Sequence, residues 1–183
     1  MLRVATRLRA DKFHLVGLSM GGRVARNVAL AAPERVRSLV LISTHPGFDS
    51  MTPDSVKQFV NERRSYTPQG LRRILGSGPS YAAYQELLDS VARIHQASYE
   101  KTLEASVSQD RAAPVERISA PTLVIAGDED TVYPPELARE LARRIPGAEL
   151  LIFERTGHLA NLEQPEAFNA LVANFIRDAE AQS

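Results

Sequence analysis

The sequence predicts an α/β protein in which a parallel sheet carries a block of helices inserted between two of its strands. Near both ends of the chain, short apolar runs alternate with segments of helical spacing, which is typical of βαβ units. Residues 46–117 instead contain helical patterns separated by proline and glycine, with no strand pattern among them. With 183 residues, 44% of them hydrophobic, the chain has the size and composition of one globular domain.

The first βαβ unit occupies residues 13–43. Residues 13–18 are a short apolar run that predicts a buried strand, and residues 23–32 have helical spacing that ends at Pro33. Residues 36–43, with four consecutive apolar residues at 39–42, predict a second strand, which a His-Pro-Gly sequence closes. Strand, helix and strand within about 30 residues predict two parallel strands joined by a right-handed crossover.

The inserted block contains four predicted helices, at residues 53–66, 69–75, 81–96 and 98–108. Its position divides the chain into a core, residues 1–45 and 118–183, and an insertion, residues 46–117.

The βα pattern resumes after the insertion. Strands are predicted at residues 121–127 and 148–153, and helices at residues 134–145 and 164–179. Pro134 and Pro165 stand at the helix starts, where a missing N–H group costs little. The last helix has one apolar face, formed by Phe168, Leu171, Val172, Phe175 and Ile176.

Composition excludes several functional classes. The 22 basic and 22 acidic side chains balance, so charge favours neither nucleic acid nor an anionic membrane as a partner. The absence of cysteine excludes disulfides, thiolate metal sites and a cysteine nucleophile. No apolar run approaches the ~18 residues of a membrane span, and the basic first ten residues lack the apolar stretch of a secretory signal. We therefore expect a cytoplasmic protein.

Residues 17–21 read Gly-Leu-Ser-Met-Gly and fit the G-x-S-x-G motif between a predicted strand and a predicted helix. Such a tight turn lifts the Ser19 hydroxyl clear of the sheet, and we expect both flanking glycines to leave room where a Cβ atom would clash. The helix that follows aims its N-terminal N–H groups at the same place, so the Met20 N–H can hold an oxyanion. The alternative is a phosphate-binding turn, but the sequence fits neither the dinucleotide-binding fingerprint nor the Walker fingerprint.

A serine hydroxyl needs an adjacent base, and the chain has four histidines. His158 lies in a loop after the last predicted strand, where loops of parallel sheets face the ligand crevice. We expect His14 to be a core residue of its strand and His95 to lie on an inserted helix. His45, at the end of the second strand, either lines the cleft or is a turn residue.

An acid is needed to orient the base, and three acidic residues follow the third predicted strand. They are Asp128, Glu129 and Asp130, and charge alone leaves the choice among them open. Along the chain the order is serine, acid, histidine. This order differs from that of the catalytic triads in the two common serine protease families.

Together these motifs resemble the α/β-hydrolase fold family in its serine-nucleophile branch. Besides residues 17–22, the matching segments are Pro-Glu-Arg-Val at 33–36, Gly127-x-x-Asp130-x-x-x-Pro134 and Gly157-His158-x-x-x-x-Glu163-x-Pro165. The resemblance implies that Asp130 is the acid, with Asp128 as the alternative, and that residues 46–117 are the family's cap. Ser19 in place of aspartate argues against the dehalogenase and epoxide hydrolase branches.

Within the family, three segments look most like the 3-oxoadipate enol-lactonase group. They are residues 127–135, residues 161–168 and the Glu-Arg-Arg sequence at 62–64. Gly22-Arg23 and the Thr-His-Pro-Gly sequence at 44–47 are also similar to a synthase group of menaquinone biosynthesis.

The resemblance further implies an α/β-hydrolase that lacks its first four strands. In the family, the turn that carries the nucleophile, called the nucleophile elbow, follows the fifth strand, whereas here it is residues 17–21 and follows the first predicted strand. Residues 1–10 resemble the end of the helix before that strand. The elbow strand would then be an edge strand with an exposed apolar face, through which copies of the chain could associate. The family's second oxyanion donor comes from the loop after the third strand. Loss of one donor typically costs ~10²–10³ in rate.

The resulting hypothesis is a serine hydrolase that cleaves a carboxylic ester or lactone of a small molecule through an acyl-enzyme. Ser19 is the nucleophile, His158 the base, Asp130 the acid and the Met20 N–H the oxyanion donor, so neither a metal nor an organic cofactor is needed. The alternatives are a truncated, weakly active or inactive remnant or incomplete gene model, and a hydrolase-like ligand receptor.

Overall fold

A computed structural model of the chain describes residues 2–47, 67–108 and 112–181, together with residues 54 and 58. Its four strands form one sheet in the order β1-β2-β3-β4, and every neighbouring pair is parallel. The strands are β1 (Phe13–Leu18), β2 (Val36–Ile42), β3 (Thr122–Gly127) and β4 (Glu149–Phe153). The predicted α/β class and all four predicted strands are confirmed.

Residues 2–47, 67–108 and 112–181 contain eight α-helices. They are α1 (Leu2–Arg7), α2 (Met20–Ala31), α3 (Pro68–Arg73), α4 (Tyr81–Ala92), α5 (Gln96–Ser108), α6 (Pro135–Arg144), α7 (Ala160–Glu163) and α8 (Pro165–Ala181), with 3-10 turns at Pro33–Arg35 and Val115–Arg117. None of these described helices has the length and apolar character needed to cross a bilayer.

β2 lies between β1 and β3 and separates two apolar layers. Leu39 and Leu41 belong to the cluster that α2 and α6 cover, whereas Val40 and Ile42 belong to the cluster that α8 covers. All four side chains are at most 2% exposed. Successive residues of a strand face opposite sides of the sheet, so a strand covered by helices on both faces is apolar at every position. This burial explains the continuous apolar run at residues 39–42 of β2.

The helix boundaries differ from the predictions where packing or capping decides them. α2 begins at Met20, three residues before the predicted start, because N–H groups of its first turn donate to the Ser19 carbonyl. α4 ends at Ala92, and His95 precedes α5 with its Nδ1 3.1 Å from the Ser98 hydroxyl, so the expectation that His95 lies on a helix is wrong. α6 begins at Pro135 rather than Pro134.

Two further predictions concern the inserted block. Within the helix predicted at 53–66, residues 54 and 58 are described and both are helical, whereas the rest of that segment, including the Glu-Arg-Arg sequence at 62–64, lies outside the described residues. The other three predicted helices of the insertion are present as α3, α4 and α5, and no strand occurs among residues 67–108. The assignment of residues 46–117 to a cap stays a prediction.

β1 forms one edge of the sheet, since it pairs with β2 alone among the described strands. Val16 of β1 is 45% exposed, and Met20 and Val24 of α2 are 38% and 48% exposed. The expected edge strand with exposed apolar side chains is therefore present.

The sheet also positions the predicted site. Because its strands are parallel, their carboxyl ends lie at one edge, where ligands of α/β proteins bind. Ser19 follows β1, His45 follows β2, Asp130 follows β3 and His158 follows β4.

Candidate active site

Ser19 occupies a strained turn between β1 and α2. Its φ of 54° and ψ of −117° lie outside the regions that L-residues ordinarily adopt. Two hydrogen bonds hold the turn: the Ser19 N–H donates to the Ile42 carbonyl at 2.8 Å, and the Thr44 hydroxyl donates to the Ser19 carbonyl at 3.0 Å. Both partners belong to the neighbouring strand or its end, so β2 maintains the strained conformation.

Steric need explains Gly17 and Gly22 but not Gly21. A Cβ atom at Gly17 would lie 2.4 Å from the Gly21 carbonyl oxygen, and one at Gly22 would lie 2.8 Å from the Thr44 side chain. At Gly21 an added Cβ would meet no heavy atom of the described residues within 4 Å, apart from its chain neighbours and the backbone of its own helix. The expectation that both glycines flanking Ser19 are required by space is therefore wrong for Gly21.

The half-buried Ser19 side chain lies at the start of α2. Serine is a favoured N-cap residue, yet the Ser19 hydroxyl makes no capping hydrogen bond to the described helix. Met20, the first residue of α2, follows directly, and N–H groups at a helix N-terminus favour negative charge nearby. The elbow thus combines a hydroxyl that does not cap its helix with the electropositive end of that helix.

Asp130 and His158 form a buried hydrogen-bonded pair. The His158 Nδ1 lies 2.8 Å from the Asp130 Oδ2, and the histidine and aspartate side chains are 7% and 0% exposed. An ionised carboxylate only accepts hydrogen bonds, so Nδ1 carries the proton and the Nε2 of the neutral ring keeps its lone pair. This tautomer is the one a general base requires.

The second oxygen of Asp130 is bound by its own loop. Oδ1 accepts from the N–H groups of Val132 at 2.8 Å and Tyr133 at 2.9 Å. These bonds orient the carboxylate so that Oδ2 faces the imidazole. Three hydrogen bonds compensate for burying the charge.

The other two acidic residues of this loop have different partners. The Asp128 Oδ1 accepts from the Thr156 N–H at 3.2 Å, and the Glu129 carboxylate accepts from the Ser77 hydroxyl at 2.8 Å. Among the three acidic residues, the described contacts pair Asp130 with the histidine, and the alternative assignment to Asp128 finds no such contact.

The remaining histidines lie in different settings. His14, near the amino end of β1, is half-buried; its Nδ1 is 2.8 Å from the Ser38 hydroxyl and its Nε2 3.4 Å from a Glu180 oxygen. His45 is fully buried at the end of β2, where its Nδ1 accepts from the Gly47 N–H at 3.1 Å. That contact is typical of a turn residue, which was one of the two predicted roles of His45.

Tyr133 links the ends of β2 and β4. Its ring centroid lies 4.6 Å from that of His45 and 5.7 Å from that of His158. Because His45 follows β2 and His158 follows β4, these contacts join the end of β2 to the histidine loop, which is residues 154–159 between β4 and α7. Sequence patterns carried no functional signal for Tyr133 beyond its place three residues after Asp130.

Sequence reasoning also missed the roles of Thr44 and Glu163. Both are buried, Thr44 against the elbow and Glu163 under the histidine loop. Each lies in a segment that carried a family resemblance, but residue type and spacing did not indicate its contacts.

A parallel α/β sheet with a strained serine elbow and a buried aspartate–histidine pair at its carboxyl edge defines a hydrolase-like α/β protein. The sequence profile of the alpha/beta hydrolase family matches residues 2–171. The chain belongs to this family.

Individual relatives agree with the assignment. The chain is 33% identical over 187 residues to a 2-hydroxy-6-oxononadienedioate/2-hydroxy-6-oxononatrienedioate hydrolase of Cupriavidus pinatubonensis, which covers 94% of this chain. The chain spans 65% of the length of that relative.

Two solved structures share the fold. An esterase from Exiguobacterium antarcticum superposes with a TM-score of 0.81 at 24% identity, covering 95% of this chain and 70% of its own. An enol-lactonase from Burkholderia xenovorans LB400 superposes with a TM-score of 0.78 at 22% identity, covering 96% of this chain and 70% of its own.

Proposed function

We propose that this chain is the catalytic part of a serine hydrolase that cleaves a carboxylic ester or lactone of a small molecule. The buried Asp130–His158 hydrogen bond of 2.8 Å, at the sheet edge that also carries the strained Ser19 elbow, carries the proposal. A hydroxyl, an imidazole and a carboxylate in the order Ser…Asp…His form the triad of this fold.

Topology supports the contact between Ser19 and His158 on which the proposal depends. Parallel neighbours lie ~4.8 Å apart, so the ends of β1 and β4, which precede Ser19 and His158, are separated by roughly 14 Å, and the histidine loop must return toward β2 to close that gap. Thr44 binds the Ser19 carbonyl, and Tyr133 lies between the rings of His45 and His158. These contacts favour a histidine loop directed toward the elbow.

In the proposed reaction, His158 Nε2 takes the proton of the Ser19 hydroxyl as Oγ attacks the carbonyl carbon. The electron pair displaced onto the carbonyl oxygen is stabilised by the Met20 N–H. Collapse of the tetrahedral intermediate breaks the bond to the leaving oxygen, which receives the proton from His158. Water then attacks the acyl-enzyme in the same way, so the acid is released and Ser19 regains its proton.

Hydrolysis of a carbon–carbon bond is the second candidate reaction. The name of the relative at 33% identity gives a substrate that is neither an ester nor a lactone. That name describes an unsaturated dicarboxylate with a ketone at carbon 6 and no ester or lactone. Water can cleave such a compound only beside the carbonyl carbon, and the same serine, histidine and N–H donor would serve.

A fluorophosphonate probe tests the proposed nucleophile. The wild-type chain should be labelled at Ser19, and Ser19→Ala should abolish labelling while Ser43→Ala leaves it unchanged. Ser43 is the matched control because it follows β2 with a similarly positive φ of 44° but is only 1% exposed. A folded wild-type chain that takes up no probe would favour the inactive remnant or the ligand receptor.

A substrate panel separates the two candidate reactions. It contains p-nitrophenyl esters of increasing chain length, simple lactones and a 2-hydroxy-6-oxo-dienoate. We expect turnover of an ester or lactone that Ser19→Ala removes. Consumption of the dienoate alone would instead assign carbon–carbon hydrolysis.

A further inference from the structure

Glu163 is a buried carboxylate that the proposed reaction does not use. It is the last residue of α7 and is 8% exposed; with Asp130 it is one of two buried acidic residues in the described part of the chain. Because a buried carboxylate is costly unless fully hydrogen-bonded, its partners indicate what it holds in place.

Its partners include the two residues that flank His158. The Gly157 N–H lies 2.9 Å from Oε2 and 3.1 Å from Oε1, and the Leu159 N–H donates to Oε1 at 3.0 Å. One carboxylate therefore binds the backbone on both sides of His158. Charge-assisted hydrogen bonds of this kind are roughly twice as strong as neutral ones.

The same carboxylate also binds the helical insertion. Its Oε2 accepts from the Gly76 N–H at 2.7 Å, a residue 87 positions away in the sequence. We define residues 74–78, between α3 and α4, as the docking segment. Glu163 thus joins this segment to the histidine loop through a shared oxygen.

Direct backbone contacts surround that junction. The His158 N–H donates to the Ile74 carbonyl at 2.7 Å, and the Gly78 N–H donates to the Arg155 carbonyl at 2.9 Å. The two backbones touch so closely that a Cβ at Gly157 would lie 2.4 Å from the Ile74 oxygen. A Cβ at the glycine of position 76 would lie 2.5 Å from the Arg155 oxygen. These close contacts therefore fix the position of the docking segment relative to the histidine loop.

We propose that Glu163 is a positioning residue for His158, and that through Glu163 the docking segment determines where the imidazole stands relative to Asp130. Its catalytic consequence rests on the proposed function. The His158–Asp130 bond needs the loop backbone in place, because the ring has only two rotatable bonds to that backbone. The carboxylate is suited to this role since all of its described partners are N–H donors.

Glu163→Gln tests the inference, with Glu166→Gln as the matched control. Glutamine keeps the size of the side chain, but its NH₂ group must face at least one of the N–H donors. Glu166 is an exposed residue three positions later. Misplacement of a catalytic group by about 1 Å costs roughly 10²-fold in rate, so we expect a fall of about that size in kcat with KM changed less than about threefold. Glu166→Gln should match the wild type.

Two readouts need no turnover and are made in the Ser19→Ala background. The low-field proton resonance of His158 Nδ1–H should weaken or disappear in Glu163→Gln, and amide exchange should accelerate at residues 157–159 and 74–78 while the β2 and β3 amides stay protected. If Glu163→Gln fails to fold, Glu163→Asp provides the test. It keeps the charge but shortens the reach by one methylene, and it should show the same changes at smaller size.

The outcomes separate the inference from the proposed function. A wild-type chain that does not react with the fluorophosphonate refutes the proposed function. In that case the His158 Nδ1–H resonance and the amide exchange still test the role of Glu163, because neither measurement requires turnover. An unchanged Nδ1–H resonance together with unchanged exchange at residues 157–159 in a folded variant overturns the inference. So does a kcat within threefold of the wild type in an active enzyme.

Discussion

Replacement of Asp130 by asparagine is the sharpest test of the acid–base pair. The substitution preserves the shape of the side chain and alters one contact. The amide oxygen of the new side chain can still accept from the N–H groups of Val132 and Tyr133, which the Asp130 carboxylate holds at 2.8 and 2.9 Å. The amide NH₂ must then face the His158 Nδ1, where the carboxylate oxygen lies at 2.8 Å.

That reversal changes the tautomer of the base. An NH₂ group donates, so Nδ1 must accept and the proton moves to Nε2, where it blocks uptake of the serine proton. In another serine hydrolase the equivalent change costs about 10⁴ in kcat. We expect the same order for Asp130→Asn, which corresponds to about 5.4 kcal/mol of transition-state stabilisation.

Stability should change much less than activity. One charge-assisted hydrogen bond is lost, worth about 1.5–3 kcal/mol, and removal of a buried charge offsets part of that loss. Urea unfolding should therefore show a fall of no more than about 3 kcal/mol in the free energy of unfolding. Activity is measured as initial rates on the best p-nitrophenyl ester of the panel.

Asp128→Asn is the matched control for this substitution. Asp128 accepts only a long bond of 3.2 Å from the Thr156 N–H among the described contacts, so the amide variant should retain activity within about fivefold of the wild type. If Asp130→Asn stays within tenfold of the wild type while Asp128→Asn loses most activity, the assignment of the acid is wrong and Asp128 takes its place.

Further substitutions test the fold around the site. Gly17→Ala places a methyl group 2.4 Å from the Gly21 oxygen and should destabilise the protein by about 3 kcal/mol or more. Gly21→Ala enters open space at a helical position and should stabilise the protein by up to about 1 kcal/mol. Thermal unfolding of the two variants measures this difference. The hydrogen bond from Arg144 lowers the pKa of Glu116 below its ordinary value, so the pair stabilises the native state at neutral pH and its contribution is lost as the pH falls through that lowered pKa. The Tm difference between the wild type and Glu116→Gln should accordingly narrow as the pH falls below the ordinary pKa of a glutamate and close below the lowered pKa, and a difference that persists at still lower pH would contradict the assignment. Val16→Lys should reduce the self-association that we propose for the edge strand β1, which sedimentation velocity measures; equal association of both proteins would exclude this edge.

The strands were the most predictable part of the fold. Residues 122–127 are apolar at nearly every position because helices cover both faces of β3, and all six are buried. Residues 13–18 are also mostly apolar, although Val16 on one face of β1 is 45% exposed. The start of α2 was less predictable, because Gly21 and Gly22 weaken a helical pattern. Gly22 is needed for contact with Thr44, a residue of another element.

The site was predictable in part. The elbow motif indicated Ser19, and the place of His158 after the last strand indicated the base, since both depend on local sequence and strand order. The choice of Asp130 over Asp128 came from family resemblance, and the structure adds the hydrogen bond to His158. The contact between Ser19 and His158 stays a prediction.

Glu163 shows where sequence reasoning reached its limit. Its place in a Gly-His motif was visible, but its function depends on Gly76, which reaches it only in the folded chain.

The sequence by itself determined the α/β class, the order of the strands along the chain and the residue types at the carboxyl edge of the sheet. These properties follow from apolar periodicity and from local turn chemistry, which neighbouring residues decide. Only the tertiary structure decided which carboxylate meets the imidazole, which glycine is sterically required and which buried acid holds the histidine loop. Those outcomes depend on distances between segments far apart in the chain, and hydrogen bonds and steric contacts change over tenths of an ångström.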